Sequence, residues 1–513
     1  MNRQIGRRKK RPVLAGERRK TLLFKKNHER KKTTALDVHS IMTHPTDPQK
    51  MKIGLETHVT LNTRTKLFCA CPTGKTEVPN AHTCPVCLGL PGSKPFLNKK
   101  AVERALTSAF ALNFDIRKKS RFARKNYYYP DLSKNYQITQ YDEPLAEKGS
   151  FAVGEKIVEL TRIHIEEDPA QIIYPFGNIS SSPYVWLDYN RSGMPLVEIV
   201  TEPCLTSPAD AKAYLEELFR LLAYLGVIDA TAERVMKTDA NLSIPGGERV
   251  EIKNITSFAA VEKALQAEYF RQKKLMQENK PIERQTRLFS EETNTTLLMR
   301  TKEQEEDYGY IVEPDLPPLT LSEAFIEGVR LTIKELPQKA IARLQNVVPV
   351  QYAPVLVYQG LLPYFESSKT SDKTLLARWT CGNLLKAMNY GEIQQPSDAL
   401  KVGELDRLLA AIAEGRITER AGMEYIKRMV AEKKTLNDVM DDENGNVLGG
   451  SGSNAVDPLI QKILTENAKA VAEYRAGKAK SLEFLVGQFL RKNLGLHTNE
   501  VRDKLRAELS KEN

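Results

Sequence analysis

No apolar run among the 513 residues is long enough to cross a bilayer, and the N-terminus lacks the apolar stretch of a secretory signal. No membrane span and no disulfide framework are expected. Phosphate-binding loops are missing too. There is no P-loop and no kinase-type glycine loop followed by its lysine, so any phosphate chemistry needs another cradle. Cysteine is sparse, six residues in all, with Cys204 and Cys381 standing alone. Net charge is confined to one end. Residues 1–50 hold 15 Lys and Arg against 4 Asp and Glu, whereas the rest holds 61 of each. The formal +11 is therefore a property of the leader, and the body is not a polycation.

That leader, residues 1–50, is acid-poor and contains RRKKR. It is expected to be disordered and to act as a mitochondrial address, with a nucleic-acid-binding tail or an over-extended start as alternatives. The whole length suits about three domains. Residues 51–330 read as strand-rich with polar stripes. Residues 331–445 turn to helices, with LPQKAIARLQ and TLLARWTCGNLLKAMN among the segments at helical spacing. Residues 446–456 read as a flexible linker by composition. Residues 457–513 form a small helical unit with the apolar set Leu459, Ile463, Leu464, Tyr474, Phe484, Leu485, Phe489 and Leu490. It also presents Lys469, Arg475, Lys478, Lys480, Arg491 and Lys492. A basic helical module on a tether suits a polyanion such as RNA; a solvated helical surface is the plainer reading. The expected fold class is α+β: a largely antiparallel core, open on one side, with flanking helices, followed by an all-α middle domain and an all-α tail.

The chain is organised around Lys52–Pro91, KIGLETHVTLNTRTKLFCACPTGKTEVPNAHTCPVCLGLP. Ile53, Leu55, Thr57, Val59 and Leu61 fall on one face of a strand by period two. Gly54, Glu56, His58 and Thr60 fall on the other. Glu56 and His58 thus point the same way from a rigid element, either as site residues or as a solvated face. Cys69, Cys71, Cys84 and Cys87 follow as C-x-C and C-x-x-C. Two close pairs can fold as knuckles that meet at one tetrahedral zinc, which leaves no ligand position open and makes the metal structural. Four reduced, metal-free thiols are the alternative.

Further acids recur on predicted strands. Residues 157–168 end in Glu166, Glu167 and Asp168, which repel one another unless a cation or basic group sits nearby. Glu198 lies between apolar Val197 and Ile199, so it needs an open face or a partner. KTDANLSI places Lys237, Asp239, Asn241 and Ser243 on one face, and in GGERVEIKN, Glu251 and Lys253 lie opposite Val250 and Ile252. Single acids on strands mean little. A set spread over four strands, with a histidine, is a constellation that holds magnesium and phosphate oxygens. Between Ser120 and Leu145, Arg121, Arg124, Lys125 and Lys134 stand among five tyrosines. This mixture suits a nucleotide or an RNA end, or an ordered surface loop.

GLETHVTLNTRTKLFCACP, CPVCLGLPG, RKNYYYPDLSKNYQITQYD, IHIEED, DYNRSGMPLVEIVTEP, DANLSI, VEIKNITSF and VEPDLPPL resemble the B subunit of the aspartyl/glutamyl-tRNA amidotransferases. The ending from NAKAVAEYRAGKAKSLEFLVGQ looks like that subunit's tail, and the match is collinear from about residue 52 onward. The archaeal E subunit shares the core but carries a large inserted domain that this length cannot hold. The resemblance implies ATP-dependent phosphorylation of the side-chain carboxylate of mischarged Glu-tRNA(Gln) or Asp-tRNA(Asn). Ammonia from a glutaminase (amidase) A subunit then displaces the phosphate. A small accessory subunit of C or F type is also implied. No glutaminase machinery is recognisable in this chain. The resemblance further implies that Glu56, His58, Glu167, Glu198 and Asp239 hold Mg2+, and that Lys125 and Asn126 contact the nucleotide or acceptor end. Some positions depart from the family pattern: Pro169, Ala170 and Gln171 after the acids, Thr238 before Asp239, and Gly309 where an arginine is usual. They point to a fast-evolving organellar copy, mitochondrial unless the chain is bacterial and cytoplasmic. The competing expectation is an RNA-binding scaffold that has lost ATP chemistry.

Overall fold

A computed structural model describes residues 51–177, 181–232, 235–301, 309–333, 335–441, 453–492 and 498–510. The chain divides into Met1–Pro48 and Gln49–Asn513. The expected leader lies outside the described residues. The strands are β1 (Lys52–Thr60), β2 (Asp115–Ile116), β3 (Lys119–Ser120), β4 (Ala123–Asn126), β5 (Tyr136–Thr139), β6 (Ala146–Val153), β7 (Lys156–Glu167) and β8 (Gln171–Ile173). They continue with β9 (Trp186–Asp188), β10 (Pro195–Thr201), β11 (Met236–Ser243), β12 (Val250–Lys253), β13 (Gln285–Ser290), β14 (Thr295–Thr301), β15 (Gly309–Val312) and β16 (Leu319–Thr320).

Nine strands form one sheet in the order β14-β13-β12-β11-β1-β10-β7-β6-β2. Among the described residues, only the β12–β13 pair is parallel. The period-two pattern decides which face is which. Ile53, Leu55, Val59, Ile163, Ile165, Val197, Ile199, Ala240, Leu242, Val250 and Ile252 are all buried in one core. Helices α1 (Lys99–Ala111), α2 (Pro208–Tyr224) and α3 (Phe258–Gln277) bring apolar residues to that same core. Each begins at a side-chain cap: Asn98 accepts from the N–H groups of Lys100 and Ala101, Ser207 from Asp210, and Ser257 from Ala260. Such caps are worth about 1 kcal/mol each. The alternate residues of the central strands are thereby left on the open face, which carries the site. The architecture is α+β, as expected.

The Ser120–Leu145 stretch, read as a nucleotide or RNA-end contact or as an ordered surface loop, contains β4 and β5, which join β15 in a three-stranded sheet. Tyr310 pairs with Lys125 and Ile311 with Arg124, and a partner so remote in sequence leaves no local signal. From Pro337 onward every described element is helical. One core gathers buried residues from Ala340 to Val439 and another from Ile460 to Leu509. Within the tail, Ile463, Leu485 and Phe489 are fully buried. Phe484, expected among them, is exposed: it precedes Leu485 by one position and so faces another side of the helix. Of the expected linker, residues 446–452 lie outside the described residues, while 453–456 already belong to the helix Ser453–Glu466.

Candidate active site

Strand register lines the polar side chains up in rungs across the open face. Arg162, Val200, Glu56 and Asp239 face one another in sequence across β7, β10, β1 and β11. His164, Glu198, His58 and Lys237 form the adjacent rung. Glu166 follows on β7, opposite Leu196, which pairs with Thr60. Apart from Val200, these residues line a cavity of ≈ 350 Å³, together with Lys125, Gln140, Arg249, Glu251, Lys253, Arg284 and Tyr310.

At its centre, His58 Nε2 lies 3.3 Å from Glu166 Oε1 and 3.3 Å from Glu198 Oε2. His164 Nε2 approaches Glu198 Oε2 at 3.2 Å from the other side. Burial pushes the Glu198 carboxyl up, but the two imidazoles outweigh it and hold it well below its ordinary value. Burial would also lower His58; the Glu198, Glu166 and Asp239 carboxylates win and push it up to about 10. Glu56 and Glu166 are raised, chiefly by burial. For Glu56 the neighbouring carboxylates of Glu198, Glu251 and Asp239 add to the effect. Lys253 bridges Asp239 at 2.8 Å and Glu251 at 3.0 Å. Asn241 Nδ2 donates to Glu56 Oε1 at 2.9 Å. Crowded carboxylates with raised pKa values favour a cation among them. His58, Glu166 and Glu198 each offer a ligand atom, all within 4.8 Å of one another. This donor set, oxygen-rich with one imidazole and open to the cavity, fits a divalent cation that displaces the His58 proton, since the ring binds a metal only as neutral imidazole.

The structure brings Glu56, His58, Glu198 and Asp239 to one face as expected from the alternation. Glu167 does not join them. It follows Glu166 by one residue and leaves β7 on the other side, where it accepts from the Ile138 N–H at 2.9 Å and from Lys134. Glu166 stands in its place. The strand parity that links His164 to Glu166 carries that signal. Asp168, the third acid, turns to Arg191 at 3.3 Å. Thus the three adjacent acids diverge to three different partners. Lys125 lines the cavity, whereas Asn126 turns away and donates to the Gly309 carbonyl. Arg124 is held by Glu313 at 2.8 and 2.9 Å. Of the departures from the family pattern, Thr238 is buried on the opposite side of β11 from Asp239, and Gln171 pairs with Asp188. Glu251 and Lys253, read on the polar side of their strand, also face the cavity, while His164, Gln140, Arg249, Arg284 and Tyr310 escaped the sequence reading, because the cavity assembles its lining from separate segments.

The Sγ atoms of Cys69, Cys71, Cys84 and Cys87 lie within 4.8 Å of one another. Those of Cys84 and Cys87 are 3.9 Å apart, close to the ~3.8 Å edge of a tetrahedron with Zn–S bonds of about 2.3 Å. A hydrogen bond from Cys69 is the main force that lowers Cys87 to about 4, against burial and with help from Lys66. The residues fit zinc. The Cys87 carbonyl accepts from Ser133 at 3.2 Å and from Ser192 at 3.0 Å. Lys66 donates to the carbonyls of His82 and Tyr189 at 2.7 and 3.0 Å. The knuckle is thus tied to the turn that leads into β10, where Gly193 adopts φ +81°.

A family model described as "GatB/GatE catalytic domain" matches residues 51–327, and one described as "GatB domain" matches residues 364–509. The chain is similar to proteins named as the B subunit of aspartyl/glutamyl-tRNA(Asn/Gln) amidotransferase. That of Methanosarcina barkeri is 40% identical over 479 residues, covering 88% of this chain and 96% of the relative. That of Methanospirillum hungatei is 42% identical over 457 residues, covering 86% and 94%. That of Carboxydothermus hydrogenoformans is 37% identical over 474 residues, covering 88% and 98%. The chain therefore belongs to the GatB/GatE family, as a B-type member of the aspartyl/glutamyl-tRNA(Asn/Gln) amidotransferases.

Proposed function

We propose that the open face of the nine-stranded sheet phosphorylates the side-chain carboxylate of Glu-tRNA(Gln) or Asp-tRNA(Asn) and then hosts its amidation. The observation that carries this reading is the alignment of Glu56, His58, Glu198 and Asp239 on one face, beside Glu166. A carboxylate is a poor electrophile because its oxygen does not leave. Its attack on the γ-phosphorus of ATP releases ADP and converts that oxygen into part of a phosphate leaving group. Ammonia then attacks the acyl carbon, loses a proton and expels phosphate, leaving the amide. Glu56, His58, Glu166, Glu198 and Asp239 would hold Mg2+, which when bound neutralises phosphate charge.

The residues of the chain do the rest. Lys125, Arg162, Lys237, Arg249 and Arg284 line the cavity and supply positive charge to phosphate oxygens. His164 and Gln140, on the cavity wall, hold the framework in place. His164 faces Glu198 at 3.2 Å, and Gln140 Oε1 accepts the Ile165 N–H at 2.9 Å. Tyr310 lies parallel to Tyr141 with ring centroids 3.9 Å apart and gives the cavity an aromatic wall. The four-cysteine knuckle would hold zinc as scaffolding. Ammonia is expected from an amidase partner of A type, with a small C- or F-type subunit in the complex. The helical tail supports tRNA binding, and the composition of the leader supports a mitochondrial address, which sequencing the mature N-terminus tests.

The deciding experiment mixes the purified complex with Glu-tRNA(Gln) and γ-labelled ATP, without an ammonia source. Label is expected to appear on the aminoacyl group. ATP left intact while tRNA binds would replace this reading with a scaffold.

A further inference from the structure

The hairpin of β8 and β9 takes no part in the chemistry above. From Gln171 to Leu187 its sequence, QIIYPFGNISSSPYVWL, carries no charged residue, in a chain where 27% of residues are charged. Phe176, Tyr184 and Trp186 are 57%, 52% and 57% exposed. Their rings form a ladder, with centroids 6.0 Å apart between Phe176 and Tyr184 and 6.3 Å apart between Tyr184 and Trp186.

An isolated two-stranded hairpin is marginal in water, and this one is fastened at its root. Arg191 donates to the carbonyls of Pro169 and Ala170 at 3.0 and 2.8 Å. The Asn80 N–H donates to Asp188 Oδ1 at 3.0 Å, which ties the hairpin to the cysteine knuckle. Asp168 and Pro169, immediately before the hairpin, line the catalytic cavity. An uncharged aromatic face thus stands on a fixed root at the cavity wall.

Protein-protein contacts are depleted of charge at their centre and enriched in Tyr, Trp and Phe. Surfaces that stack single-stranded RNA interleave their aromatics with cations, and this run has no Lys or Arg. A second protein therefore fits the face better than the polyanionic substrate. We propose that Phe176, Tyr184 and Trp186 form the docking face for the amidase subunit that supplies ammonia. The inference rests on the amidation reading above and adds where the donor attaches. A contact rooted at Asp168 and Pro169 would bring the source of the nucleophile beside the cavity that consumes it.

The test replaces Phe176, Tyr184 and Trp186 together by Asp, and in a second variant by Ser, in the full chain co-expressed with its amidase. Affinity for the amidase is expected to fall roughly 30-fold or more, as for hot-spot residues. Glutamine-driven amidation falls with it. Amidation driven by added ammonium and phosphorylation of Glu-tRNA persist, which also shows that the fold is intact. Unchanged amidase affinity overturns the proposal. So does equal loss with both nitrogen donors in the Asp and Ser variants, or weakened tRNA binding with the amidase still bound. A wild-type self-dimer that the substitutions dissolve, with amidase binding intact, overturns it in favour of self-association. Failure of the underlying reading looks different: the unmodified complex would then form no phosphorylated aminoacyl-tRNA at all.

Discussion

His58 and Glu198 face each other across the β1–β10 ladder, with Nε2 and Oε2 3.3 Å apart. On its other side the same Glu198 oxygen meets His164 at 3.2 Å. One buried carboxylate oxygen thus sits between two imidazoles. Glu198→Gln keeps the volume and removes the charge that both rings face. Phosphorylation of Glu-tRNA is expected to fall at least about 100-fold, since even outer-sphere partners of a metal site cost 10–100-fold. Binding of tRNA is expected to stay unchanged. A single-turnover phosphorylation assay beside a gel-shift titration checks both.

Glu166 and Glu167 are adjacent and should separate cleanly. Glu166→Gln, in the cavity, is expected to lower ATP turnover with Glu-tRNA by about 10–100-fold or more with little effect on stability. Glu167→Gln is expected to leave turnover largely intact. It weakens the bonds to Lys134 and the Ile138 N–H, at about 1–3 kcal/mol of folding stability. Denaturant unfolding and steady-state ATP hydrolysis on the two variants decide the assignment.

Asp406 gives the helical region a pH dependence. Burial alone would raise its carboxyl. The hydroxyls of Ser368 and Thr370 and the Lys369 N–H donate to it, outweigh burial and hold it below the ordinary value. A carboxyl depressed in the folded state stabilises above its unfolded pKa, and that contribution is lost as pH falls through the folded value. Asp406→Asn should therefore cost about 1–2 kcal/mol at neutral pH. The difference between variant and parent should shrink below about pH 4. Unfolding curves across that range measure it.

The cysteine knuckle should retain one zinc ion per chain through purification. Cys84→Ser should abolish that zinc and lower the melting temperature, because the Cys87 carbonyl anchors Ser133 and Ser192. Metal analysis with calorimetry tests this. Full zinc content in the Ser variant would refute the four-thiolate site.

Much of this geometry was legible from alternation alone. Glu56 with His58, and Asp239 with Asn241, share a face by parity, and their apolar neighbours state which face is buried. The same parity favours Glu166 through His164, yet motif position pointed to Glu167. The pairing of β4 with β15 was not legible, because Lys125 and Tyr310 meet across a long stretch of chain. Nor was the engagement of Arg124 by Glu313, which removes from the cavity a cation that composition alone had offered to a ligand. Local pattern reports which side of a strand a residue occupies. It does not report which distant strand will lie beside it.

The two faces of the nine-stranded sheet are chemically opposite, with helices packed on one and acids crowded on the other. Sliding β1 by a single residue against β10 would drive Glu56 and His58 beneath the helices and lift Leu55 and Val59 into water. A chain paired that way would meet steep penalties on both sides at once. The residues that serve the reaction therefore also police assembly, and a substitution that turns the acids apolar would loosen the choice of alignment as well as silence the enzyme.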